Sequence, residues 1–196
     1  MSEFRVRRAR LADAGPIARI HIAAWRRAYR GIMDDAVLDG LDHDRQSATW
    51  ARNLGDEESS ISTFVLIRSV DGECLGFGGV CPPRDAAEVL DRLPDASGLG
   101  QLAFINVHPD HFGTGAASVL FDALEDELRA QGWRRAYLMV AEGNHRAMRF
   151  YAKKGWQRTE ITHVFAGVTP AVPERMYVTD LHRQVRLPGS ARNGSR

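Results

Sequence analysis

Hydrophobic and polar positions change their period several times along this chain, and each change marks an element. FRVRRA, residues 4–9, alternates apolar with charged side chains and predicts a short strand. From Asp13 the period lengthens. Ile17, Ile20, His21, Ala24, Trp25 and Ala28 recur at helical spacing. Pro16 suits the first turn of that helix, where its missing N–H costs nothing, and Gly31 suits its end. A second helical pattern covers residues 34–54, with Leu38, Leu41 and Trp50 turned inward. STFVLIRSV and CLGFGGVC read as two strands joined through the turn signal Asp71-Gly72.

The stretch CPPRDAAEVLDRLPDASG then interrupts the pattern with prolines and polar residues, leaving a long connection over 82–98. AAEVLDRL predicts a short helix inside it. GQLAFINV is the next strand, and 116–131 a helix with Ala117, Leu120, Phe121, Leu124 and Leu128 on one face and Gly132 at its end. RRAYLMVA is a strand, and NHRAMRFYAKKG a helix capped by Asn144 and closed by Gly155. ITHVFAGV and PERMYVTDL predict two last strands. This order implies an α/β (α+β) protein: one mixed sheet with helices on its faces, not an alternating parallel fold. Residues 1–187 form one domain on this reading, and 188–196, polar and glycine-bearing, a disordered tail.

Composition narrows the classes. Hydrophobic residues make up 44% of 196, enough for a sizeable core. Lys+Arg 26 against Asp+Glu 25 gives +1, which lacks the basic excess of a dedicated nucleic-acid binder. A small anionic ligand needs only a few backbone amides. Cys74 and Cys81, an odd number apart on an extended strand, point to opposite faces and read as free thiols of a reducing cytosol. MSEFRVRRARLADAG has no apolar segment of a secretory signal, and no run reaches the roughly 18 apolar residues of a membrane helix. The expectation is a cytoplasmic protein with no metal site.

The chemistry concentrates in FINVHPDHFGTGAASVLFDAL, residues 104–124, where a strand gives way to glycines and then a helix. A helix start leaves its first N–H groups unpaired, and the dipole adds positive character there. Small residues from Gly113 to Ala117 let a phosphate or diphosphate reach those amides; a bare strand-to-helix turn is the alternative. No Gly-Lys-Ser/Thr follows, so this is not an ATP- or GTP-cleaving loop. Ser118 stands where a dinucleotide fingerprint needs its third glycine.

VHPDHFGTGAASVLFDAL resembles the acyl-CoA-binding motif of the GNAT superfamily of N-acetyltransferases, Gln/Arg-x-x-Gly-x-Gly/Ala leading into a helix. LMVAEGNHRAMRFYAKKGWQRT resembles that family's second signature, an Asn, then Phe-Tyr, then Gly-aromatic. HIAAWRRAYRGIMDDAVLDGL is similar to its first two helices. The resemblance implies a largely antiparallel sheet whose two central strands splay apart to admit acetyl-CoA. Ile105 and Val107 would offer main-chain groups to the pantetheine arm, the amides of Gly113, Thr114, Gly115, Ala116 and Ala117 would hold the diphosphate, and Asn144 would bind the arm or hold the loop beside it. Trp25 and Tyr29 would wall the acceptor pocket, with Asp34 and Asp35 near it. The activity implied is direct acetyl transfer to a primary amine of a small molecule, peptide or protein. A non-catalytic acyl-CoA-binding module is the alternative. Dimers are frequent in that family, so a homodimer is one expectation.

Two departures from the motif remove side-chain contacts. Phe112 replaces its first Gln or Arg, and Thr114 a frequent basic residue; Arg149, Lys153 and Lys154 are candidate substitutes. Tyr151 is the implied acid. A tyrosine at ~10 giving its proton to a thiolate at ~8.5 works uphill by about 2 kcal/mol, so hydrogen-bond donation to sulfur suits it better. Gln101 occupies the position of the family's frequent base and cannot accept a proton. His163 becomes the expected base, with His108 and Glu142 as further candidates.

Overall fold

The computed structural model describes residues 2–85, 87–167 and 170–182. Their strands are β1 Phe4–Arg8, β2 Ser62–Arg68, β3 Cys74–Cys81, β4 Leu99–Val107, β5 Arg135–Ala141, β6 Gln157–Phe165 and β7 Val172–Asp180. The helices are α1 Ala14–Tyr29, α2 Asp35–Asp39, α3 His43–Gly55, α4 Ala87–Leu90, α5 Ala116–Ala130 and α6 His145–Lys153. One seven-stranded sheet runs β1-β2-β3-β4-β5-β7-β6. Every neighbouring pair is antiparallel except β4 and β5. The expected tail, residues 188–196, lies outside the described residues.

The sheet is covered on both faces. On one, Leu120, Phe121, Leu124 and Leu128 of α5 pack onto Leu66, Leu75, Val80 and Leu102. On the other, Ile17 and Ile20 of α1 and Trp50 of α3 pack onto Val65, Ile67 and Phe77. Successive residues of β2 thus feed opposite cores, as the pleat requires. Glycines in β3 bring α5 close. A Cβ at Gly78 would lie 2.5 Å from Leu124 Cδ1, and one at Gly76 would lie 2.9 Å from the Asn106 carbonyl oxygen.

Three expectations are corrected. The pattern over 34–54 is two helices, because Gly40 ends α2 and the Asp42 side chain accepts the Arg45 amide at 2.9 Å to start α3. β6 begins at Gln157 rather than Ile161; it is an edge strand, and its exposed Gln157, Arg158 and Glu160 hide the alternation. A bulge at Leu66/Ile67 slips the parity of β3, so Cys74 and Phe77 both join the α1 core. By continued alternation Cys81 faces the same side as Cys74. Both thiols are free and buried, and burial pushes each up to about 11.

The feature that makes a site is the parting of β4 from β5. Their parallel pairing stops at Gln101 and Tyr137, although the strands continue to Val107 and Ala141. At this point β4 bulges: Val80 faces Leu102 and Gly79 faces Phe104, leaving Ala103 as the extra residue. A bulge bends its strand, and here the bend coincides with the opening.

Candidate active site

A cavity of about 320 Å³ fills the gap. Ala103 to Val107 of β4 and Met139 to Ala141 of β5 form its sides, and α1 covers it with Ala24, Trp25, Ala28 and Tyr29. Phe112, Ala117, Asn144, Arg146 and Tyr151 line it from the glycine loop, α5 and α6, and Met33, Phe165, Val172 and Glu174 from the α1–α2 turn and the β6–β7 pair.

The His108 amide donates to the Leu75 carbonyl at 2.8 Å, so the N–H of His108 points to β3, while its carbonyl accepts the His111 amide at 2.9 Å in the turn that follows. Alternation then turns the N–H and C=O of Val107 and Ile105 toward the gap, where β5 has left them without a partner. Beyond the strand end, Gly113 and Gly115 have φ +83° and +90°, conformations that an L side chain rarely takes, and a Cβ on either would meet open space. Among the described residues the amides of Gly113, Thr114, Gly115 and Ala117 donate to no protein acceptor, and that of Ala116 reaches only Thr114 Oγ1 at 3.4 Å. The Thr114 hydroxyl itself donates to the His111 carbonyl at 2.9 Å, which tightens the loop. The result is a set of inward-facing donors at the positive end of a fifteen-residue helix.

Phe112 is not an empty position. The Arg146 guanidinium carbon lies 3.0 Å from its ring centroid. Arg146 comes from the first turn of α6 and lines the cavity. Burial, and next the nearby charge of Arg27, lower its pKa, so its charged neighbour is another cation rather than a carboxylate. The three substitutes suggested by sequence stand elsewhere. Arg149 and Lys153 are exposed off the cavity wall, and Lys154 is paired with Asp122 at 2.6 Å.

Asn144 caps α6 by accepting the Ala147 amide at 3.2 Å, and it lines the cavity. Tyr151 is buried among Phe121, Phe150 and Tyr177, yet among the described residues its hydroxyl has no hydrogen-bond partner and is not sealed off from the cavity. Burial raises it well above the ordinary tyrosine value. Trp25 and Tyr29 stack edge to face at 5.2 Å. Trp25 is braced by His21, 4.7 Å away, whose Nδ1 accepts the Trp50 indole N–H at 3.2 Å.

Glu174 escapes sequence reading. It lies on β7 between Val172 and Met176, pairs with Ala141 of β5 and lines the cavity. Burial, and next the charge of Asp85, push its carboxyl up to about 7. The available signal was a lone acid sharing a strand face with Val172, Met176 and Val178.

The other candidates are engaged or displaced. Gln101 accepts the Arg84 amide at 3.0 Å and donates to Asp85 at 3.0 Å, so it holds the 82–98 connection. His163 sits on β6 opposite Glu174, half-buried and outside the cavity lining. His108 accepts the Asp110 amide within its own turn. Glu142 is paired with Arg175. Asp34 caps α2 through the Ala36 amide, and Asp35 pairs with Arg30 at 3.0 Å.

A profile of the acetyltransferase (GNAT) family matches residues 17–156, which is most of the chain and includes both lips of the cleft. The chain belongs to the GNAT family. Similar sequences agree with that membership. An uncharacterised N-acetyltransferase of Bacillus subtilis, YuaI, is 24% identical over 163 residues, covering 83% of this GNAT chain and 86% of its own. Another uncharacterised N-acetyltransferase, from Archaeoglobus fulgidus, is 25% identical over 157 residues, 80% of this chain and 95% of its own. In shape the GNAT chain is similar to the PaiA N-acetyltransferase of Thermoplasma acidophilum, solved in complex with coenzyme A: TM-score 0.69, 14% identity, 92% and 99% of the two chains. It is also similar to YncA, a putative acetyltransferase of Salmonella typhimurium solved with its cofactor acetyl-CoA: TM-score 0.61, 19% identity, 97% and 100% covered. As a GNAT member the chain is an acyl-CoA-dependent N-acetyltransferase. Among the described residues no helix is long and apolar enough to cross a membrane.

Proposed function

We propose that this chain moves the acetyl group of acetyl-CoA directly to a primary amine inside the β4–β5 cleft. The observation that carries the reading is the row of unpaired main-chain donors. It starts at Ile105 and Val107 in the gap and continues through Gly113 to Ala117 at the head of α5. Two solved GNAT structures of this shape hold coenzyme A or acetyl-CoA. A diphosphate fits the glycine amides because both glycines lack the side chain that would close the approach. Arg146, stacked on Phe112 beside that loop, supplies the charge-assisted contact that the motif lost at Phe112.

Each residue then has a task. Ile105 and Val107 pair with the extended amide-bearing arm of the co-substrate as a missing strand would. Asn144 donates its free side-chain N–H toward the same arm while its oxygen caps α6. Tyr151, kept protonated by burial, donates a hydrogen bond to the departing sulfur. Releasing its proton to a thiolate near ~8.5 would cost well over the ~2 kcal/mol of an ordinary tyrosine. Trp25 and Tyr29 shape the entry of the amine. Calorimetry with acetyl-CoA, followed by thiol release with a panel of amines, tests the reading. Heat of binding and amine-dependent release of coenzyme A are expected; a folded protein that gives no heat overturns it.

A further inference from the structure

The part of the lining that α1 and the β6–β7 pair supply differs in character from the part beside the glycine loop. Around Glu174 its walls are Ala24, Trp25, Ala28, Tyr29, Phe165 and Val172, all apolar or aromatic. Ala24 and Ala28, one helical turn apart, put nothing beyond a methyl group into the cavity beside the rings of Trp25 and Tyr29. Among the described residues of this lining Glu174 is the only carboxylate, and the one cation, Arg146, sits on Phe112 beside the glycine loop. We infer that the acceptor is a primary amine carried on an apolar, flat body with no carboxylate of its own, of the arylalkylamine class, and that Glu174 takes its proton. The inference rests on the acetyl-transfer reading above and specifies its acceptor.

The composition of these walls argues the class. An α-carboxylate would enter a space with no positive partner and with the Glu174 carboxyl in it, and an unpaired buried charge is expensive. A ring on the amine replaces water against Trp25 and Tyr29 and gains their apolar area. Glu174 suits the proton. Four groups bear on it: Tyr29 from α1, Asp85 from the connection before β4, His163 directly across on β6, and Arg175, its chain neighbour, which is turned to Glu142 and Glu160. Tyr29, pushed up to about 12 by burial and then by Glu174, stays neutral. The bound ammonium gives a proton to the Glu174 carboxylate, which passes it to solvent. The nitrogen lone pair then forms the C–N bond at the thioester carbonyl and the C–S bond breaks. Sulfur leaves with the electron pair beside Tyr151, and a second nitrogen proton ends on it as the thiol. No oxidant or further reactant is needed.

The test compares 2-phenylethylamine with phenylalanine, a linear diamine and a lysine peptide in the thiol-release assay, in wild type, Glu174→Gln and His163→Gln. The arylalkylamine is expected to exceed phenylalanine in kcat/KM by at least a hundredfold. Glu174→Gln should lower kcat by 10²–10⁴-fold, the range of a lost general base, while the acetyl-CoA Kd by calorimetry holds. Wild-type kcat/KM should rise with pH through a limb near 7 that persists in His163→Gln and is absent from Glu174→Gln. The amine should raise the Tm of acetyl-CoA-free wild type and not of Glu174→Gln. Equal or better use of phenylalanine, the diamine or the peptide overturns the inference. So does a limb that survives in Glu174→Gln or moves with His163→Gln, and so does acetyl-CoA binding with no turnover of the arylalkylamine. Absence of acetyl-CoA binding in wild type overturns the acetyl-transfer reading instead.

Discussion

Glu174 holds a charge where the fold would rather have none, and that has a measurable consequence for stability. In the folded chain its carboxyl is pushed up to about 7, whereas its ordinary value is 4.5. Below 4.5 the group is protonated whether folded or not, and it costs nothing. As pH rises from 4.5 through 7, the unfolded chain releases the proton first, so stability falls across that window and levels off above it. Glu174→Gln removes the penalty. Chemical denaturation should show the variant more stable than wild type at pH 8, by up to about 3 kcal/mol, and equal to it at pH 4. A constant difference at both pH values would mean that the substitution acts through packing alone. A second residue-scale prediction concerns Arg146. Charge-assisted contacts contribute about 1.5–3 kcal/mol, so Arg146→Ala should weaken acetyl-CoA by roughly ten- to a hundredfold in calorimetry. Lys154→Ala, which removes a cation already paired with Asp122, should leave that affinity unchanged. The role of Arg146 could not be read along the chain, because the ring it stacks on is 34 positions away.

At the scale of elements, the glycines of two segments do different things and should fail differently. Gly115 has φ +90° and nothing near its Cβ position, so Gly115→Val strains the backbone by about 1–2 kcal/mol and places a side chain over the amides. Acetyl-CoA binding should be lost while urea unfolding shifts modestly. Gly78 has ordinary φ but no room, with Leu124 Cδ1 at 2.5 Å from a built Cβ. Gly78→Val should therefore overpack the α5 interface and cost on the order of 1–3 kcal/mol, visible as a lower urea midpoint, with the cradle itself intact. These elements were also the legible ones. The i, i+4 series Ala116, Leu120, Leu124, Leu128 announces α5, and Val65, Leu66 and Ile67 announce a strand buried on both faces. What misled was capping. Asp34 and Asp42 each accept a nearby amide, and these two local hydrogen bonds divide what the apolar period shows as one helix. The row of free amides at the head of α5 was legible because its donors are main chain, and main chain is called out by glycines.

For the molecule as a whole, the cavity wall around Glu174 is assembled from segments whose mutual position no local pattern encodes. Asp85 lies in the connection between β3 and β4; its carboxylate accepts the Tyr137 hydroxyl at 2.7 Å and the Gln101 side-chain amide at 3.0 Å. Val89 and Leu93 of the same connection pack with Tyr137, Ile161 and Met176, which seats it on the β5-β7-β6 half of the sheet. The sequence marks 82–98 only as an interruption, and Gln101 only as a base that is not there. In the fold the two meet: the Gln101 side chain donates to the Asp85 carboxylate, whose charge is the second cause of the raised Glu174 value. Burial is the larger cause of the raised Glu174 value and Asp85 the next, so removing the Asp85 charge should undo part of the shift and not all of it. Asp85→Asn keeps an oxygen that can accept from Tyr137 and removes the repulsion. The limb in kcat/KM assigned to Glu174 should move to lower pH by less than the full distance back to 4.5, with the acetyl-CoA Kd constant and the fold preserved by far-UV circular dichroism. Tyr137→Phe, which breaks the hydroxyl contact but leaves the Asp85 charge, should move the limb far less. If both variants leave the limb in place, the connection is a cover for the sheet and has no hand in the proton chemistry.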